Sequence, residues 1–139
     1  TASTMKNLQY ASAVAIYKRN YWAPIKGDEI KDQQVANILY DSAVNQGVGK
    51  AQGYVKDSLN IPKYDVAKIN AANPVALANN LIAARKATYE KLGGYALNSW
   101  LDRLNTLKAG IKQNSGKTVG ILVGLGLLTT AIIIYNKNK

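Results

Sequence analysis

Apolar positions along this chain recur at steps of three and four rather than two, a spacing that predicts helices and no strand. Met5, Leu8, Val14, Tyr17 and Tyr21 keep that spacing after a candidate N-cap at Thr4, so a helix is expected over residues 5–21, stopped by Pro24. Val35, Ile38, Leu39 and Ala43 mark the inward face of a second helix over residues 33–46, and Gly47 stands where a C-terminal glycine is expected. Residues 49–59 read as a third helix, broken by Pro62, and residues 65–72 as a short fourth. Asn73-Pro74 pairs an N-cap with a first-turn proline and opens a long helix through Leu77, Leu81, Ile82, Tyr89 and Leu92. Gly93-Gly94 close it, and Leu97, Trp100, Leu101, Leu104 and Leu107 share one face of a last helix over residues 95–107.

Residues 108–117 then read as a polar, basic linker, and the pattern changes character. Residues 119–135 carry no charge, and their most polar side chains are Thr129 and Thr130. At ~1.5 Å per residue the run is about 25 Å long, the short end of what crosses a ~30 Å hydrocarbon core. Lys117 and Lys137 can snorkel, and Tyr135 stands at the boundary where interfacial aromatics gather. The expected organisation is a helical head over residues 1–107, the linker, a single transmembrane helix over 118–136 and a basic tail over 137–139. Lysines flank the span on both sides, so they favour a cytoplasmic head only weakly. Gly116, Gly120 and Gly124 fall on one face of the span at the spacing that lets two helices approach closely. That stripe reads either as a self-association or partner-helix face or as ordinary membrane-helix glycine.

Composition narrows the chemistry. The 139 residues contain no cysteine and no histidine, which removes disulfides, Ser-His catalysis and the common transition-metal ligand sets, so no cofactor and no metal are expected. Net charge is +10, and five of those charges lie from Lys108 onward, where no acid occurs. A positive balance favours anionic lipid, nucleic acid or an anionic wall polymer. Fifteen of the 18 cations are lysine, which argues against base-reading of nucleic acid, since bidentate base contacts prefer arginine. No basic, apolar leader opens the sequence, so no secretory signal peptide is expected.

Several runs then carry a resemblance. They are Ala15-Ile16-Tyr17-Lys18-Arg19-Asn20-Tyr21-Trp22, Gly27-Asp28, and Tyr40-Asp41-Ser42-Ala43-Val44-Asn45-Gln46-Gly47 with Ala51 beyond it. Together they resemble the second half, the predicted peptidoglycan domain, of the phage-type muramidases of the glycoside hydrolase 108 family. The likeness continues more loosely through Asn73-Pro74, Arg85, Tyr89 and Trp100–Arg103. It implies an all-α, lysozyme-like head associated with peptidoglycan. The family's catalytic glutamate lies in a Glu-Gly-Gly-Tyr run that this sequence lacks; Gly93-Gly94-Tyr95 follows Leu92, with Glu90 a helical turn back. The family's Leu-Gln pair is replaced by Val55-Lys56. Its Asp-Gly-x-x-Gly-Pro loop is absent, because Pro62-Lys63-Tyr64-Asp65 runs straight into helix.

Candidate ligand-binding side chains are Tyr21 and Trp22, as a stacking platform for a sugar ring, and Asp41 and Asn45, four apart on one side of the second helix. Each pair also has a structural reading, the first as helix packing and the second as a fixture for a neighbouring loop. Glycoside hydrolysis needs two suitably placed carboxyl groups. The acidic loop of Asp28, Glu29 and Asp32 is the one cluster on which a catalytic acid could lie. Three functions follow: a membrane-anchored, peptidoglycan-associated protein of a phage or prophage lysis or entry system; a structural membrane-anchored virion or assembly protein reusing the scaffold; or a lytic enzyme using another acid or completed by a partner chain. The expected location is the bacterial inner membrane or the internal membrane of a virion.

Overall fold

The computed structural model describes residues 1–114. Their regular elements are all helical, with no strand. The order is α1 (Ala2–Tyr17), a π turn (Lys18–Trp22), a 3₁₀ turn (Gly27–Glu29), α2 (Gln33–Gln46), α3 (Val48–Leu59), α4 (Val66–Ala71), α5 (Pro74–Leu92) and α6 (Leu97–Asn114).

Capping chemistry sets the boundaries. Asp32 accepts from the Val35 amide at the start of α2, Asp65 from Ala67 at the start of α4, and Asn73 from Ala76 ahead of Pro74 at the start of α5. Gly47 ends α2 and opens α3 within one residue at φ 94°, a backbone state that side chains strongly disfavour. Gly93 ends α5 at φ 62°.

The middle of the fold is α2. Every residue from Gln33 to Ala43 is buried, polar ones included. α3, α5, α6 and the π turn pack round it, and α4 bridges α3 and α5. A helix buried on all sides must satisfy its polar groups internally. Gln33 donates to Asn37 at 2.9 Å, Ser42 to the Ile38 carbonyl at 2.7 Å, and Gln34 to the Leu107 carbonyl on α6 at 2.8 Å.

α6 runs on past that contact. The helix continues through residues 108–114, where the sequence pattern suggests a linker. Ile111 extends the buried face, and Gly110 lies so close to Gln34 that an added Cβ would stand 3.0 Å from its amide. Lys108 interrupts the apolar pattern without ending the packing, which Ile111 continues.

α1 departs from expectation in the other direction. It buries none of its sixteen residues, and Met5 and Leu8, which share its apolar spacing, are each 61% exposed. Only its C-terminal part, through Val14 and Tyr17, packs on the core. The π turn that follows adds a residue to the helical register, and Trp22 at its end is buried. Leu92, which shares the apolar spacing of α5, is exposed at the end of that helix.

Among the described residues no helix is long and apolar enough to cross a membrane. The proposed span lies outside them, with its Gly116, Gly120 and Gly124 stripe and its anchors Lys117, Tyr135 and Lys137.

The close approach of Gly27 to Trp22 gives a direct test of the packing. A Cβ on Gly27 would lie 2.2 Å from the buried indole, whereas Gly53, inside α3, has nothing within 4 Å. Gly27→Ala is expected to cost about 1–3 kcal/mol by overpacking. Gly53→Ala is expected to stabilise by about 0.5–1 kcal/mol through helix propensity. Denaturant midpoints at unchanged slope measure both.

Candidate functional site

The chemistry-bearing residues fall into two neighbourhoods. The first surrounds Asp41, on the side of α2 that meets α5 and α6. Asp41 is 2% exposed. Its Oδ1 accepts from Arg103 Nε of α6 at 2.7 Å and also from Arg103 Nη2. Its Oδ2 stands 2.9 Å from Arg85 Nη2 of α5 as an ion pair. Arg85 is fully buried, donates to the Tyr89 hydroxyl at 2.8 Å and lies over the Tyr89 ring. Tyr89 in turn stacks on Trp100 with ring centroids 5.0 Å apart. One carboxylate thus joins three helices.

The second neighbourhood is the loop between the π turn and α2. Trp22 is buried, sits edge-on to Tyr40, and donates from Nε1 to Asp28 Oδ1 at 3.0 Å. Tyr64 donates to the Ile25 carbonyl at 2.5 Å and Gln52 to the Pro24 carbonyl at 3.2 Å, so α3 and the turn before α4 both hold this loop. Asn70 of α4 completes the clamp: its Oδ1 accepts from the Lys31 amide and its Nδ2 donates to the Glu29 carbonyl, both at 2.9 Å. Beside that clamp is an open pocket of about 140 Å³ lined by Lys31, Asp32, Ile69, Asn70, Ala72 and Pro74.

Two tyrosines in these surroundings are held neutral. Burial, followed by the nearby Tyr17, Asp41 and Tyr21 charges, raises the Tyr40 phenol above its ordinary range. Burial and then the Glu29 carboxylate raise Tyr64 in the same way. Tyr40 keeps its hydroxyl buried with no hydrogen-bond partner, whereas Tyr64 bonds to a carbonyl.

Residues 1–47 match the family model described as glycosyl hydrolase 108. The matched stretch contains the Tyr21-Trp22, Gly27-Asp28 and Tyr40–Gly47 runs and ends on Gly47, short of Ala51. No curated protein and no solved structure matches the chain. The match stops where α3 begins. Arg85, Tyr89 and Trp100–Arg103, the residues that extend the resemblance beyond it, include the arginines and aromatics gathered round Asp41.

The four candidate sugar-contacting residues do not form one surface. Asp41 is consumed by the two arginines and Trp22 by the loop, so the structural reading of each accounts for its geometry. Tyr21 is half-buried with its ring 5.5 Å from that of Tyr17. Asn45 is exposed and donates to the Asp41 carbonyl at 2.8 Å. Of the acids, Asp28 accepts from Trp22 and Asp32 caps α2, while Glu29, exposed like Asp28, has neither of those tasks. Glu90 pairs with Lys86 at 3.8 Å on the open surface. Among the described residues no group of acids could hold a metal ion. Sequence reasoning missed Asn70 and Lys31, because a single amide near the end of a short helix carries no motif.

Asp41→Asn leaves two guanidinium groups without their counter-charge and is expected to cost about 3–5 kcal/mol. Asn45→Ala, exposed and losing one bond, should cost about 1 kcal/mol or less. Urea unfolding separates the two.

The tyrosines predict alkaline behaviour. A phenol whose folded pKa is raised contributes fully below the unfolded value of about 10 and loses that contribution as pH climbs past it. Stability should therefore fall above pH ~10, with delayed tyrosinate absorbance until the chain unfolds. At neutral pH, Tyr64→Phe is expected to cost about 1 kcal/mol, while Tyr40→Phe, which deletes an unpartnered hydroxyl, should be neutral or stabilising.

Proposed function

We propose that this chain is a membrane-tethered, peptidoglycan-associated protein of a phage or prophage lysis or entry system. Its head corresponds to the second half of the muramidase architecture and does not cut the glycan by itself. The carrying observation is the glycosyl hydrolase 108 match over residues 1–47, together with the matched motif's carboxylate locked to Arg85 and Arg103. A net charge of +10 suits an anionic wall polymer, and the apolar run of residues 119–135 suits a bilayer anchor. The lack of independent cleavage is supported by the work the acids already do. Asp41 is ion-paired in the core, Asp28 is bonded to an indole, and Asp32 and Asp65 cap helices.

A second reading, a membrane-anchored scaffold with no wall ligand, is favoured by the burial of Trp22 and Asp41, two of the residues best suited to contact a saccharide.

Co-sedimentation of the full-length chain in detergent with purified sacculi tests the proposal. The expected result is retention that weakens as salt rises, without clearing of a sacculus suspension. Chain left in the supernatant at low salt supports the scaffold reading. Clearing that is lost in Glu29→Gln would instead assign cleavage to the acidic loop.

A further inference from the structure

Every other α-helix among the described residues buries at least one side chain, and α1 buries none. Val14 and Tyr17, on one side of it, rest on the core. Met5, Leu8, Ser12 and Ile16 follow one another at steps of three and four, so they share a face turned away from that pair. All four are exposed, and so are Ala11 and Ala15 beside them. The face carries no charged side chain and offers about three turns of mainly apolar surface that the described residues leave uncovered.

The charge around this face has one sign. Lys6, Lys18, Arg19 and Lys26 are the charged side chains of residues 1–27, and the first acid is Asp28. Residues 28–107 hold nine basic and eight acidic side chains, so they are close to neutral, and the remaining five cations lie from Lys108 onward. Both ends of the sequence thus join apolar residues to cations alone. Pairing α1 with a second copy of itself would bring like charges together, since neither α1 nor the π turn holds an acid. A bilayer with acidic headgroups supplies the opposite charge and an apolar layer at one surface. Chain length keeps that surface within reach. α6 extends to Asn114 and the uncharged run begins at Val119, so five steps of at most ~3.6 Å hold that end of the head within about 18 Å of the run.

We infer that α1 is a second membrane contact of this chain. Its Met5, Leu8 and Ile16 face lies in the headgroup layer of an anionic bilayer, and Lys6, Lys18 and Arg19 reach the lipid phosphates along their aliphatic stems. The apolar side chains supply burial, and the cations supply an attraction that weakens with salt. The inference rests on the membrane tether proposed above and goes beyond it. A span alone leaves the head free to turn, whereas a docked α1 fixes which side of the head faces the lipid.

Because the chain has no cysteine, one introduced thiol carries a fluorophore at a chosen place. Ser12→Cys on α1 and Ser99→Cys on α6, both at exposed positions, are each labelled with a polarity-sensitive nitrobenzoxadiazole in the full-length chain, reconstituted in vesicles. In phosphatidylglycerol-rich vesicles the Ser12 label is expected to shift to the blue and to be quenched by doxyl-labelled lipid, with the Ser99 label unchanged. Phosphatidylcholine alone should undo this, and so should Lys18→Gln with Arg19→Gln, each lost cation lowering the docked-to-free ratio about fivefold. A Ser12 label that stays in water overturns the contact. A label shielded without lipid quenching, in step with protein density, overturns it in favour of a second copy. Flotation separates the contact from the tether. A chain that floats at every salt concentration with a silent Ser12 label loses the α1 contact and keeps the tether. A chain released from anionic vesicles by high salt, with the label responding at low salt, keeps the contact and loses the tether.

Discussion

The single carboxylate of Asp41 is the constraint round which the head is arranged. It lies on a helix with no solvent-facing side over the eleven residues from Gln33 to Ala43, and it meets one guanidinium from α5 and one from α6. A buried charge is tolerable only with partners in place, so the position of α2 is tied to both neighbouring helices at once. Apolar packing alone would let α5 and α6 slide along α2 by a ridge, since Leu and Ile contacts are non-directional. The two hydrogen bonds from Arg103 to Asp41 have direction, and with the Arg85 ion pair they fix the register. Arg85 is fully buried against the ring of Tyr89, which stacks in turn on Trp100, so water does not compete for it.

The same constraint shows what the residues of the motif do within the fold. The sequence run ending at Gly47 combines an aspartate, an asparagine and a glycine, the residue types from which saccharide sites are made. In the structure each serves the fold. Asp41 pairs α2 with two helices, Asn45 bonds back to the Asp41 carbonyl, and Gly47 adopts a backbone that lets α3 start at once. The Trp22, Gly27 and Asp28 group is similar. The indole covers a residue that must lack a Cβ, and its N–H is satisfied by the carboxylate beside it. Resemblance over residues 1–47 therefore supports a shared way of building the fold more directly than a shared chemistry.

What the sequence makes legible follows the range of the interaction. Caps act within one turn, so Asn73-Pro74 marks the start of α5 directly, and the inward faces of α2 and α5 follow from periodicity; the candidate cap Thr4 is displaced, because Thr1 caps α1. Periodicity does not say whether a face has anything to pack on. Met5 and Leu8 have the spacing of a buried stripe and remain exposed, because no other described element covers that part of α1. The length of α6 is hidden for the opposite reason: beyond Leu107 it packs Gly110 against Gln34, more than seventy residues away, and buries Ile111. The pocket is equally illegible. It depends on Asn70 meeting a loop some forty residues upstream, and nothing local to Asn70 announces that contact.

The distribution of charge bears on how tightly such a head would need to hold a wall. Lysine outnumbers arginine five to one, and two of the three arginines are committed to Asp41, so the free cations are mostly flexible, hydrated ammonium groups. Such groups give contacts that are individually weak and screened within about 8–10 Å at ordinary salt. Taken alone, this describes poor affinity for a soluble ligand. For a head tethered to a bilayer beside its polymer, as proposed, the second contact is intramolecular in effect, and effective concentrations reach the millimolar range for a short linker. Weak, reversible and repeated contacts then suffice to keep the head at the wall while leaving it free to move along the glycan. A high-affinity cleft of the kind an independent hydrolase needs would work against that movement.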